Sequence, residues 1–89
     1  MVIRWDIEKN ELLKRTRGVC FEEVLVVIEA DEIIDFFVHP DETRYPGQVI
    51  FLVCLRDYIY AVPAVIRDEE IFLKTIYPSR KYTKLYFDK

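Results

Sequence analysis

The chain reads as an α+β domain in two layers, with helices first and a meander of strands after them. Three observations predict this. Phe21, Val24, Leu25 and Ile28 fall at i, i+3, i+4 and i+7, which makes one apolar helix face. From residue 33 the period changes. Residues 33–38, 49–55, 58–66 and 70–77 are rich in β-branched and aromatic side chains and read as four strands. The connections at Arg56-Asp57 and residues 67–69 are tight, so the last three strands form an antiparallel meander.

Each element follows from local chemistry. Residues 2–5 are a short β-like run. Asp6 can cap the next helix by accepting from its free first-turn amides. That helix spans residues 7–17, with Leu12 and Leu13 facing inward and with Arg15 and Arg17 complementing its dipole at the last turn. Gly18 is the natural C-cap. A second helix covers residues 21–30. Residues 39–47 hold Pro40, Pro46 and Gly47 and form a loop. Neither tight connection has the Asn-Gly type of sequence, so the turn types stay open. Pro63 interrupts its strand and requires a bulge or an unpaired amide position. After Pro78 there is room for a short final helix over residues 80–87.

The 89 residues suffice for one small domain. Hydrophobic residues are 52% and charged residues 33%, and serine, asparagine and glutamine occur once each, at Ser79, Asn10 and Gln48. Such depletion of uncharged polar residues is a habit of heat-adapted proteins. Six tyrosines, six phenylalanines and one tryptophan supply a dense core, which excludes disorder. The longest apolar runs are far too short to span a membrane as a helix. No basic-then-apolar leader is visible, so the expectation is a cytoplasmic protein. Cys20 and Cys54 have no metal-ligand spacing, and the single histidine cannot complete one; two free thiols are expected.

The net charge of −3 is unevenly spread. Residues 1–17 carry net +2, residues 18–73 net −9, and residues 74–89 net +4. If the ends meet in the fold, they make a basic patch on an acidic body, which points to partners of opposite charge.

Trp5-Asp6, Lys9-Asn10, Gly18-Val19 and Phe21-Glu22-Glu23 stand in a specific order. This resembles the opening of BrnT-family toxins, W-D-x-x-K-N followed by G-[VI]-[ST]-F-E-E. Ser79-Arg80-Lys81 and Thr83 are similar to that family's S-A-R-R-x-T segment. The resemblance implies the order β-α-α-β-β-β-β-short α, with two N-terminal helices packed on an antiparallel four-stranded meander-like sheet, as in the RelE/ParE-like fold. It implies the toxin of a type II toxin–antitoxin pair, an endoribonuclease that needs no metal or cofactor and stops translation. The implied partners are RNA and an antitoxin with a ribbon-helix-helix DNA-binding part; no direct DNA binding is implied for this chain alone. The family carries Ser or Thr before the Phe, completing a capping box with Glu23. Cys20 replaces it here, and a thiol is a poor acceptor, so the cap weakens by up to about 1 kcal/mol. Other departures are the acidic balance, a thinned arginine stretch and a shorter final helix.

RNA cleavage by attack of the 2′-hydroxyl requires deprotonation of the nucleophile, protonation of the leaving oxygen and stabilisation of phosphate charge. The resemblance makes Arg80 the first choice for phosphate contact. Lys81 and Lys84 would assist, and Thr83 could hydrogen-bond the phosphate. Lys81 keeps the charge of the family's second arginine but loses its fork. Lys74 and Thr75 point to opposite faces of their strand, so only one of them can join. His39 is the only imidazole and suits a general acid or base, although it sits before Pro40 in a turn. Glu22 and Glu23 could act as a base, although their first-turn position already explains them. Lys9 and Arg17 could extend the basic patch. Tyr82 and Tyr86 alternate with the cations of the tail and offer stacking surfaces for unpaired bases, whereas Trp5, Tyr58 and Tyr60 suit the core. The alternative to ribonuclease chemistry is a non-catalytic protein-binding module that keeps the toxin's shape.

Overall fold

The computed structural model describes residues 1–88. β1 (Val2–Trp5) leads into α1 (Ile7–Arg17) and α2 (Phe21–Glu29). β2 (Asp35–Val38), β3 (Gln48–Leu55), β4 (Tyr58–Arg67), β5 (Glu70–Leu73), β6 (Tyr77–Pro78) and α3 (Arg80–Phe87) follow. The result is a compact α+β fold with three helices and one mixed sheet in the order β1-β5-β4-β3-β2, with β6 paired to β4.

Two features depart from a four-stranded antiparallel sheet. β1 joins the edge in parallel with β5, placing Ile3 beside Ile71 and Trp5 beside Leu73. The run 70–77 also breaks in two. Ala64 pairs with Leu73 and Ala61 with Tyr77, so the facing chain carries one extra residue between those pairs, which is a β-bulge. Pro63 sits at that bulge. It has no N–H to offer the ladder, while its carbonyl accepts from the Lys74 amide at 2.8 Å. β2 is shorter than the apolar run 33–38, because Ile33 and Ile34 precede the regular pairing and the Ile34 amide reaches the Leu52 carbonyl out of step.

The front face of the sheet packs against α1 and α2. Leu13, Phe21 and Val24 meet Val49, Phe51, Val53, Leu55, Val62, Ala64, Ile71 and Leu73. Each fully buried side chain of this size is worth about 1.5–3 kcal/mol. Trp5 joins this core, stacked on Phe21 with ring centroids 5.7 Å apart. Leu12, expected inside, is 39% exposed. Leu13, one position on, takes the inward direction on this helix.

The helix ends are set by side chains. The Asp6 carboxylate accepts from the amides of Glu8 (2.8 Å) and Lys9 (3.3 Å), and Gly18 closes α1 with φ 66°. At the start of α2 the Cys20 thiol donates to the Glu23 carboxylate at 3.6 Å, and that carboxylate also accepts from the Cys20 amide at 3.0 Å. The missing acceptor comes from α1. Asn10 Oδ1 accepts from the Phe21 amide at 2.7 Å, and Asn10 Nδ2 donates to Glu22 at 2.8 Å. At the other end of α2 the Asp31 amide donates to the Ile28 carbonyl, and the Glu32 amide to that of Val27. This is a Schellman motif with Asp31 in the left-handed position (φ 57°).

Arg56 and Asp57 both have positive φ, 51° and 62°, which makes the β3–β4 connection a type I′ turn. The Arg56 guanidinium donates to the Glu23 carboxylate and to the Gly18 carbonyl, tying the hairpin to the α1–α2 junction. Both cysteines are free. Among the described residues no helix is long and apolar enough to cross a membrane.

Candidate functional site

The back face of the sheet is covered at one end only. There α3 packs Tyr82 and Tyr86 on Leu52, Ile59 and Ala61. Polar bonds pin it. Ser79 Oγ caps the helix by accepting from the Tyr82 amide at 3.2 Å, and the Ser79 amide donates to the Ile59 carbonyl at 2.9 Å. Thr83 Oγ1 accepts from the Ile59 amide at 2.9 Å and donates to the Ser79 carbonyl at 2.7 Å. The Thr83 hydroxyl is therefore spent on holding the helix to β4.

What α3 presents outward is basic. Arg80, Lys81 and Lys84 are exposed, and among the described residues none of them forms an ion pair. Lys81 and Lys84 share an outer surface with Leu85 and Asp88. The Lys81 ammonium lies 5.4 Å from the Tyr82 ring centroid. Arg80 and Lys81 occupy the first turn, where the positive end of the helix dipole adds to their own field.

Beside α3 the back face is open. Phe37, Ile50 and Pro63 stand in one cross-strand row and form the floor of a groove of about 220 Å³, which His39, Pro40 and Gln48 also line. Phe37 touches Tyr82, with centroids 5.9 Å apart, so the groove adjoins the helix. His39 is two residues along β2 from Phe37 and lines the same groove. Its Nδ1 accepts from the Asp41 amide at 3.0 Å, and its ring lies on Tyr45 at 4.3 Å. When neutral, the imidazole therefore carries its proton on Nε2.

The structure thus brings Arg80, Lys81, Lys84, Tyr82 and Tyr86 together on one helix, with His39 across a groove on the same face. Lys74 follows β5 on the side of exposed Phe72, while the Thr75 hydroxyl is buried and has no partner among the described residues. Only Lys74 is therefore open to a ligand. Lys9 and Arg17 do not join the group. They lie on α1, across the sheet from α3. Arg17 Nη1 donates to the Ile76 carbonyl at 2.6 Å, which steadies the segment leading to α3.

Glu22 and Glu23 are built into the α1–α2 junction. The Asn10 amide, and then the first-turn backbone amide of Glu22, hold the Glu22 carboxyl below its ordinary value. Burial raises the Cys20 thiol. Tyr58 and Tyr60 stack edge to face at 5.7 Å, and Tyr60 packs on the front core. Among the described residues no three His, Cys, Asp or Glu side chains converge as a metal site. The groove floor of Phe37, Ile50 and Pro63 was not legible in the sequence, because it needs the pairing register of three strands. Comparison of the chain with family models, curated proteins and solved structures gives no match.

Proposed function

We propose that the chain is the toxin of a type II toxin–antitoxin pair, an endoribonuclease that binds RNA on the back face of the sheet. The observation that carries this reading is the outer face of α3. Three cations without ion-pair partners stand on a helix that is pinned to the sheet, next to an open groove with the single imidazole at its other side. Fixed cations beside a concave surface are what a developing phosphate charge requires. Arg80 contacts the phosphate, with Lys81 and Lys84 adding charge. Lys74 borders the same face. Tyr82, with a cation above its ring, offers a stacking surface at the rim. His39 serves as general acid or base from across the groove. Thr83 acts by positioning α3. The resemblance of both ends of the chain to BrnT-family toxins, of RelE/ParE-like fold, and the helix–helix–meander order support the same reading. The partner is then an antitoxin whose ribbon-helix-helix part binds DNA and whose remainder covers the basic helix.

The second reading is a non-catalytic binding module. It is favoured by the apolar floor of the groove and by the commitment of Thr83 to the fold. The test is controlled expression of the wild type and of Arg80→Ala/Lys81→Ala, with growth and total RNA followed together. Arrest and RNA cleavage by the wild type, lost in a folded double variant, are expected. Normal growth and intact RNA from a soluble, folded wild type would overturn the ribonuclease reading and leave the module.

A further inference from the structure

We infer that β2 is a self-pairing edge, and that two copies of the chain join there about a twofold axis into one continuous sheet. β2 is the last strand in the sheet order and nothing covers its outer side. Its sequence is Asp-Phe-Phe-Val, and Phe36, Phe37 and Val38 are 45%, 37% and 48% exposed. Exposed edges are usually blunted by lysine, proline or a bulge. β2 has no lysine or proline, and its pairing with β3 is regular from Asp35 to Val38.

The backbone says which groups are on offer. The His39 amide donates to the Gln48 carbonyl. In the register that pairs Phe37 with Ile50, residues 35, 37 and 39 therefore direct their backbone groups to β3, while Phe36 and Val38 direct theirs outward. An antiparallel second copy satisfies both if Phe36 faces Val38 of the other chain and Phe37 faces Phe37. One further step places Asp35 opposite His39 of the second copy.

That step is chemically complementary. His39 Nδ1 is occupied by the Asp41 amide, so the neutral ring offers an Nε2–H donor. Asp35 at present accepts from the Phe36 amide at 2.8 Å, which masks one of the two outward donors. On pairing, that amide passes to the Val38 carbonyl of the second copy, and the carboxylate is released to His39. The same twofold places both copies of α3 on one face of the joined sheet. Strands of four residues bury little area, so the dimer is of the weak, concentration-dependent class.

The test uses the full chain. Sedimentation equilibrium from low to high micromolar concentration should show the mass doubling, and Val38→Lys should abolish the doubling with an unchanged circular dichroism spectrum. A register readout stands beside it. In a Cys20→Ser/Cys54→Ala background, Phe37→Cys should form an intermolecular disulfide readily, because residue 37 meets itself at the axis. Phe36→Cys should not, because its partner is residue 38. A wild type that stays monomeric at every concentration leaves the edge to some other partner and overturns the inference. So does a Val38→Lys dimer, or crosslinking at 36 equal to that at 37.

Discussion

Replacing Asn10 by Ala tests the account of how α2 begins. Asn10 is 4% exposed, and Phe21, whose amide it caps, is fully buried. The substitution leaves that amide without an acceptor, because the Cys20 thiol is turned to Glu23 and water has no access to the position. An unsatisfied buried donor costs about 1–3 kcal/mol. The lost bond to Glu22 adds little, since that carboxylate is exposed and water replaces the donor. The expected loss is therefore about 2 kcal/mol, or roughly 8–16 °C in Tm for a domain of this size. Thermal unfolding followed by circular dichroism measures it, with urea unfolding to confirm that the m-value is unchanged. A fall of only about 3 °C or less would mean that the amide finds another partner, and the assignment of Asn10 as the cap of α2 would fail.

Other perturbations have definite signs. Asp31→Gly should stabilise by about 1 kcal/mol, because glycine adopts the left-handed position of the Schellman motif without strain and removes a carboxylate from a helix C-terminus; a lowered Tm would count against it. Gly47→Ala should destabilise by more than about 2 kcal/mol, since φ is 75° and a Cβ would stand 2.2 Å from the Ile66 carbonyl oxygen. A Tm within error of the wild type would refute that account. Thr83→Val should cost about 1–3 kcal/mol and reduce protection of the Ile59 amide in hydrogen exchange, while Thr83→Ser should restore both. Glu22 has a folded-state pKa below its unfolded one, so its contribution is present above the unfolded pKa and is lost as pH falls through the folded one. Glu22→Gln should therefore flatten the acid limb of the stability profile and lose its difference from the wild type at the lowest pH; an unchanged limb would sink this.

The sequence carried the elements well where one local rule decided them. Asp6, Gly18 and Ser79 mark helix ends that the structure keeps, and Pro63 falls at the bulge its missing amide demands. It carried pairing less well. Nothing local tells that residues 2–5 return to run parallel with β5, because that choice depends on packing of Ile3 and Trp5 with a core assembled from distant segments. Asn10 was visible as the lone asparagine and as part of a motif. Its role as a cap for the neighbouring helix emerges only when α1 and α2 are placed together. The basic residues show the same limit. Charge along the chain grouped both ends, whereas the sheet separates Lys9 and Arg17 from α3.

The two faces of the sheet are held by different forces, and this separates stability from function. On the front, fully buried side chains such as Leu13, Phe21, Val24, Val53 and Val62 carry the apolar core. On the back, a short helix without a buried residue is fixed largely by hydrogen bonds from Ser79 and Thr83 to one residue of β4. Arg80, Lys81 and Lys84 take part in neither arrangement. Removing them deletes no buried contact and no ion pair among the described residues, so their loss is expected to change stability by no more than about 0.5 kcal/mol. Any large effect of Arg80→Ala/Lys81→Ala on RNA would then be chemical in origin. A similar effect from Thr83→Val would act through the position of the helix, and Thr83→Ser, which keeps the hydroxyl, separates the two.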